Sequence, residues 1–336
     1  MRPEEKQELI EEFELAPNRS KKKVLKKHGI PASTFYRWKK VYDEYGLSGL
    51  IKQDLAKKEV WNRMIGYERE KVLEIAKNNP ELSCRLIAVK ICDEEDFSIS
   101  ESTVYRMLKE AGLITPRPEE ERPAGDEWYE KTTKVDQIWQ TDATVFFIVG
   151  WGYYKLINVL DDYSRYILSS ELRPDETGRS ISMAVEMAIE EAKRLGHLQG
   201  EEKPRLLSDN GSGNKSEEFG GYLKERGIKH IFGKPYHPQT QGKIERFHRR
   251  MKRDVCLMVY CSPEELKEAI GKWIARYRIT PHKSLKNVSP IDVYSGRQED
   301  ILAKRKIKKE LTLIRRKMHN QSRKNGGETT DEVSKS

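Results

Sequence analysis

Apolar positions recur at helical spacing through the first third of the chain, run together or alternate in the middle, and return to helical spacing towards the end. In residues 1–62, Leu9, Ile10 and Phe13 predict a short helix closed by Pro17. Val24 and Leu25 mark a second, with Ser20 as its cap and Gly29 at its end. Phe35, Trp38, Tyr42 and Tyr45 mark a third, capped by Ser33, whose other face carries Tyr36, Arg37, Lys39 and Lys40. Two short helices about a Gly turn, the second with a basic face, is a helix-turn-helix pattern. An ordinary three-helix bundle with a solvated lysine face accounts for the same residues equally well.

Residues 63–114 repeat the theme without close identity. Val72, Ile75 and Ala76 mark one helix ending near Pro80, and Leu86, Ile87 and Ile91 mark another. Ser100 caps a third, with Val104, Leu108 and Ala111 inward and Ser102, Thr103, Arg106 and Lys109 outward. Two such units in tandem strengthen the DNA-binding reading of each. Residues 115–127, TPRPEEERPAGDE, hold three prolines and a charge run and read as a linker.

The pattern changes over residues 128–260. Segments 137–149, 153–160 and 166–172 are rich in β-branched and aromatic residues, separated by Gly150 and Gly152 and then by Asp161-Asp162. A helix over 178–195, a short strand over 205–208, a helix over 216–226, a strand over 228–232 and a helix over 243–260 follow. The order β-β-β-α-β-α-β-α predicts an α/β sandwich with a mixed sheet. Residues 261–300 open on a capping box, Ser262-Pro263-Glu264-Glu265, ahead of an apolar face made by Leu266, Ile270, Trp273, Ile274 and Tyr277. In the basic tail, 301–336, Ile307, Leu311, Ile314 and Met318 stand at helical spacing, so that either a basic amphipathic helix or a disordered tail fits.

Composition narrows the class. At 336 residues the chain has room for two or three domains, and 35% charged against 36% apolar residues still leaves enough for a core. The longest nearly apolar stretch, 145–154, is far short of a membrane span, and the charged N-terminus lacks a signal-peptide pattern. Cys84, Cys92, Cys256 and Cys261 show no zinc-finger or disulfide spacing and read as buried thiols of a reducing cytosol. Of a net charge of +9, residues 301–336 carry +7, from 11 basic and 4 acidic side chains, which points to a polyanion partner.

Three carboxylates are the candidate chemistry. Asp142 lies within the first strand (IWQTDAT), Asp209 directly follows the fourth (RLLSDNG), and Glu245 lies early in a helix (GKIERFH). Phosphodiester chemistry needs an activated attacking oxygen and a stabilised leaving oxygen, and two divalent ions ~3.5–4 Å apart supply both. Mg²⁺ takes hard oxygen ligands, so a few carboxylates suffice, one of them bridging. Taken singly, each residue has an ordinary structural reading: a strand-edge charge, an Asp-Asn-Gly turn, a Glu245–Arg249 helix pair. Their combination in this element order favours catalysis.

The motifs WQTDAT, VLDDYSRYI, LLSDNG and the run 235–247 resemble the integrase core shared by retroviral integrases and DDE transposases of bacterial insertion sequences, with 35 residues between Asp209 and Glu245. RWKKVYDEYGLSGL and SESTVYRMLKEAGL resemble the two helix-turn-helix segments of such transposases. The resemblance implies an α/β RNase H-like catalytic core, with a mixed five-stranded sheet and helices, preceded by all-α tandem helix-turn-helix domains. It implies Asp142, Asp209 and Glu245 as catalytic residues and ligands of two Mg²⁺ ions, with Mn²⁺ as substitute, and neither Asp161 nor Asp162 as a ligand. The retroviral His/Cys zinc module is absent, which matches the bacterial branch, and Arg278 stands where the family usually has Asn.

The expected function is a transposase that binds the ends of a mobile element and cuts and rejoins DNA. Water attacks first, and the freed 3′-hydroxyl then attacks another phosphodiester. The implied partners are double-stranded DNA, at element ends and target, and further copies of the chain; the implied location is the bacterial cytoplasm, at the nucleoid, with no membrane partner. Arg249 and Lys252 share the helix face of Glu245 and are candidate phosphate contacts. Gln239, Gln241 and Lys243 are expected in a preceding loop that orders on DNA, and His237 is expected to orient a phosphate or water. The alternatives are a catalytically silent DNA-binding regulator and a nuclease on the same fold without strand transfer.

Overall fold

The computed structural model describes residues 1–50, 61–114, 131–233 and 242–325. The linker at 115–127 and the residues His237, Gln239 and Gln241 lie outside the described residues. Residues 1–63, with the stretch from Arg316 onward, form one compact unit, and residues 64–315 form another.

In the first unit, α1 (Pro3–Leu15), α2 (Lys21–Lys27) and α3 (Ala32–Leu50) close around Leu9, Ile10, Phe13, Leu25, Phe35 and Leu50. Three local expectations are corrected. Ser33 lies inside α3 rather than at its cap, Ser20 sits at the N-cap of α2 without a side-chain cap bond, and Tyr45 is exposed. Tyr45 falls beside Gly46, whose non-helical backbone interrupts α3.

The second unit begins with α4 (Gly66–Asn78), α5 (Cys84–Glu94) and α6 (Glu101–Glu110), packed around Val72, Ile87, Ile91, Phe97, Val104 and Leu108. Ser83 and Ser100 cap α5 and α6 through their hydroxyls. Ala111, expected inward, is exposed, and Met107 fills that place.

The sheet follows: β1 (Ile138–Ile148), β2 (Gly152–Asp161), β3 (Ile167–Arg173), β4 (Arg205–Ser208) and β5 (Lys229–Phe232), in the spatial order β3-β2-β1-β4-β5. β1, β2 and β3 are antiparallel neighbours, while β4 and β5 run parallel to β1. The helices α7 (Gly178–Arg194) and α8 (Glu217–Glu225) cover one face, through Ile181, Ala184, Val185, Ala188 and Phe219. On the other lie α9 (Gly242–Val255) and α10 (Pro263–Ile279), through Ile244, Phe247, Met251, Leu266 and Trp273. β1 is buried on both faces from Ile138 to Thr141, then alternates between buried and exposed from Thr144, as a strand does once only one face is covered. The element order and the mixed five-stranded sheet are those expected of an RNase H-like core.

α10 is capped by Ser262, whose hydroxyl accepts from Glu265 N, while the Glu265 carboxylate accepts from Cys261 N rather than from Ser262 itself. After it come a 3₁₀ turn (Lys283–Leu285), α11 (Pro290–Tyr294) and α12 (Gln298–Asn325). α12 is helical well into the basic tail, but its apolar stripe does not face inward: Ile307, Leu311, Ile314 and Met318 are 56%, 59%, 55% and 66% exposed. The polar side does the packing. Arg305 pairs with Asp93 at 2.6 Å, Lys308 donates to the carbonyl of Glu95 at 2.7 Å, Ser98 N donates to Thr312 Oγ1 at 2.9 Å, and Arg315 pairs with buried Glu68 at 3.2 Å. Arg85 adds bonds to Pro281 O (3.1 Å) and Asn287 Oδ1 (2.8 Å). These bonds fasten α4–α6 to the C-terminal helices, so residues 64–114 share a unit with the sheet. Among the described residues no helix is long and apolar enough to cross a membrane. Cys92 is buried, but Cys256 and Cys261 are exposed, which corrects the expectation of four buried thiols.

Candidate active site

Asp142 sits on the central strand, directly opposite Asn158 of β2. Its Oδ2 lies 3.3 Å from Nδ1 of His248, which stands on α9 and is buried. Asn158, fully buried, directs Nδ2 to His248 Nε2 at 2.8 Å and to Leu156 O at 3.3 Å. An amide nitrogen only donates, so Nε2 accepts, and Nδ1 is the ring nitrogen that lies near Asp142. Asn158 Oδ1 is left without a partner.

Asp209 follows β4 immediately. β1 and β4 pair in parallel with Gln140 opposite Leu207, and the same register continued by two residues sets Asp209 level with Asp142. Asp209 Oδ1 accepts from Gly211 N (2.9 Å) and Asn214 Nδ2 (2.7 Å), which folds the following residues into an Asx turn. Gly213 in this turn has no room for a side chain: a Cβ there would lie 2.3 Å from the carbonyl oxygen of Glu176. Asp209 Oδ2 has no partner among the described residues.

Glu245 lies in the first turn of α9, three residues before His248 and therefore on the same helix face. Its carboxylate is half-buried and has no partner among the described residues. The start of α9 is anchored to β1 through Gln140, whose Oε1 accepts from Ile244 N (3.2 Å) and whose Nε2 donates to Asp162 Oδ1 (2.7 Å). Asp162 Oδ2 pairs with Lys243 at 2.5 Å. Lys243 is thus corrected: it lies inside α9 rather than in a preceding loop, and its ammonium turns inward.

Asp161 and Asp162 are both buried and engaged in the scaffold. Asp161 accepts from Asp136 N, Ser164 N and Ser164 Oγ. Burial pushes its carboxyl up to about 7, with the nearby Asp136 charge acting in the same direction and the Ser164 bonds opposing. Arg278 also has a scaffold partner: it donates to Ile167 O at 2.7 Å and lies over the Tyr166 ring at 4.6 Å.

The fold therefore brings Asp142, Asp209 and the first turn of α9 to one edge of the sheet, but does not close them into a cage. Among the described residues no three His, Cys, Asp or Glu side chains are gathered tightly enough to hold a metal ion. Like-charged carboxylates oppose close approach without a cation between them. What the three offer is hard oxygen: among the described residues, an unpartnered carboxylate at Glu245, an open Oδ2 at Asp209, and one long contact at Asp142. That donor set suits a hard divalent cation.

The remaining expected site residues are spread over several surfaces. Tyr36, Arg37 and Lys40 are exposed on α3, whereas Lys39 shares its ammonium between Glu14 and Asp43. On α6, Ser102, Arg106 and Lys109 are exposed and Thr103 is half-buried; Arg106 donates to Ser102 O and Thr103 Oγ1, both at 3.3 Å. Arg249 is exposed, and half-buried Lys252 lies 5.7 Å from the centre of the Phe146 ring. Sequence reasoning missed Gln140, Asn158 and His248. The available signal was a polar residue inside a strand's apolar run, and a histidine one turn after the glutamate.

These features define an integrase-type core. Residues 132–238 and again 226–290 match the integrase core domain family, and residues 34–108 match a homeodomain-like domain. Residues 132–290 of this chain thus carry an integrase core domain.

The transposase for transposon Tn552 of Staphylococcus aureus is 25% identical over 262 residues, covering 72% of this chain and 54% of that protein. The Pol-related polyprotein of the mouse intracisternal A-particle MIA14 is 33% identical over 118 residues, covering 34% of this chain and 12% of that protein. The chain thus spans from about an eighth to about half the length of these two relatives. Among solved structures, the HTLV-2 integrase catalytic core domain in complex with magnesium is similar at 20% identity and a TM-score of 0.37, covering 48% of this chain and 97% of that one.

Proposed function

We propose that this chain is a DNA transposase that binds the ends of a mobile element and cuts and rejoins DNA at a site formed by Asp142, Asp209 and Glu245. The observation that carries this reading is the shared edge. Within the segment that matches the integrase core, Asp142 on β1 stands level with Asp209, just past the end of the parallel β4, and His248 on the helix of Glu245 lies 3.3 Å from Asp142. A relative of this chain along 72% of its length is itself named a transposase, which supports the same reading.

Asp142, Asp209 and Glu245 would hold two Mg²⁺ ions, or Mn²⁺ in their place, which would neutralise phosphate charge and make the attacking oxygen more acidic. The protein's own groups do the rest. Arg249 and Lys252, one and two turns beyond Glu245, hold the DNA backbone beside the carboxylates, and His237, Gln239 and Gln241 contact DNA from the preceding segment. Tyr36, Arg37 and Lys40 on α3, and Ser102, Thr103, Arg106 and Lys109 on α6, bind the element ends, their cations holding phosphates and their short polar groups reading base edges. Lys39 is omitted because two carboxylates already occupy it. Water attacks the first phosphodiester and the freed 3′-hydroxyl the second, each in line, with no side chain bonded covalently to DNA. Joining two ends calls for more than one copy of the chain on DNA at the nucleoid.

The test uses labelled DNA carrying the inverted repeats that flank the gene, with Mg²⁺ or Mn²⁺. The wild-type protein yields cleaved and joined products, and Asp142→Asn abolishes both while gel-shift binding of the ends stays within about twofold. Cutting by Asp142→Asn at an unchanged rate overturns the site. Cleavage without joining makes the protein a nuclease, and binding without chemistry makes it a regulator.

A further inference from the structure

We infer that His248, held in one tautomer by Asn158, is a positioning residue that sets the spacing between two of the proposed metal ligands, Asp142 and Glu245, and so governs cation affinity; this rests on the reading of the site given above. Asp142 belongs to a central strand and Glu245 to a helix on the sheet's face, and the protein must fix the position of one against the other. Two buried connections do so. The first, Gln140 with Asp162 and Lys243, pins the start of α9 just before Glu245. It reaches the backbone of Ile244, while Phe247, Met251 and Val255 seat the apolar face of α9 on the sheet.

The second connection runs from the helix to Asp142 itself. His248 is one turn further along, on the face of Glu245, and its Nδ1 meets Asp142 Oδ2 at 3.3 Å. Asn158 Nδ2, 2.8 Å from Nε2, allows only the tautomer with its proton on Nδ1. The arrangement costs Asn158 a satisfied carbonyl, since its Oδ1 is buried and unpartnered. A buried orphan acceptor of this kind is unfavourable, and here it accompanies a ring nitrogen held 3.3 Å from Asp142. His248 also orients Asp142 itself, leaving Oδ1 clear of this contact. Groups that orient ligands from behind in this way typically change metal affinity by about 10–100-fold when removed.

The test measures binding of Mn²⁺ alone to the full chain, by calorimetry or by electron paramagnetic resonance of free Mn²⁺, and needs no DNA and no turnover. His248→Leu fills the same space without a donor, and His248→Asn keeps an N–H near the position of Nδ1. The expected result is a Mn²⁺ dissociation constant raised about tenfold or more in His248→Leu and largely restored in His248→Asn, with both variants folded by thermal melting. Equal Mn²⁺ affinity in wild type, His248→Leu and His248→Asn overturns the inference, as does equal weakening in both variants. If His248→Leu does not fold, Asn158→Ala gives the same contrast, because it releases the tautomer without touching the ring; an unchanged Mn²⁺ affinity there overturns the inference. Asp142→Asn separates the two levels. Loss of Mn²⁺ binding in Asp142→Asn but not in His248→Leu defeats the positioning role alone, whereas retained binding in Asp142→Asn defeats the reading of the site.

Discussion

Gln140 serves two elements with one carboxamide, accepting from the backbone of α9 and donating to the buried Asp162, and its sequence shows only a polar residue inside an apolar strand. At the residue scale, legibility depended on whether a side chain's role was chemical or geometric. Asp142, Asp209 and Glu245 stood out because acidic groups at strand ends and in a helix's first turn, at a set spacing, suit a recognisable chemistry. Gln140, Asn158 and His248 did not, because their roles depend on partners 104, 90 and 22 residues away and on which atom faces which. Gly213 is a similar case, invisible until the carbonyl of Glu176 is placed against it. Gly213→Ala should lower stability by about 1–3 kcal/mol, since the added methyl must displace the Glu176 carbonyl as well as the tip of Ile181. A urea midpoint unchanged from wild type would show that this turn relaxes freely.

At the element scale, the strands and most helices were readable because their apolar periodicity reflects what they bury. α12 was not, because it packs with its polar side. Its apolar residues suggested a basic amphipathic helix or a disordered tail, whereas Arg305, Lys308, Thr312 and Arg315 make the contacts with residues 92–98 and Glu68. Arg315→Met should therefore cost about 2 kcal/mol of stability by leaving the buried Glu68 carboxylate short of a partner, while Ile314→Gln, on the exposed side, should cost under about 0.5 kcal/mol. Comparable losses in the two variants would contradict that orientation.

The turn after α10 holds a titrating group. Burial, then the guanidinium groups of Arg250, Arg85 and Arg165, push the His282 imidazole down to about 4 from an ordinary 6.5. The unfolded chain takes up this proton first as pH falls. The stabilisation is therefore complete above pH 6.5 and is lost towards pH 4, by no more than about 3 kcal/mol. Urea midpoints at pH 7 and pH 5 should fall further in wild type than in His282→Phe, which keeps a ring against Tyr277; parallel falls would assign the acid sensitivity elsewhere.

For the whole molecule, the sequence predicted an α/β core behind helical DNA-binding segments, and the structure has that order. It differs in grouping: residues 64–114 belong to the same compact unit as the sheet. The bonds that join them run between residues about 200 apart, such as Arg85 with Asn287 and Arg305 with Asp93, and side chains meeting at that separation leave no local periodicity to read. The net charge of +9 remains a feature of the molecule as a whole, and DNA affinity should fall steeply with added salt, with a reduced slope in Arg106→Ala.

The central claim is that Asp142, Asp209 and Glu245 together hold divalent cations. Anomalous diffraction from crystals of the protein–DNA complex grown with Mn²⁺ tests it most directly. The account predicts a manganese peak within about 2.2 Å of carboxylate oxygens of Asp142 and Asp209, with Glu245 on the same or a second ion. Manganese bound only elsewhere on the protein, with the three carboxylates ordered and no peak between them, would contradict it.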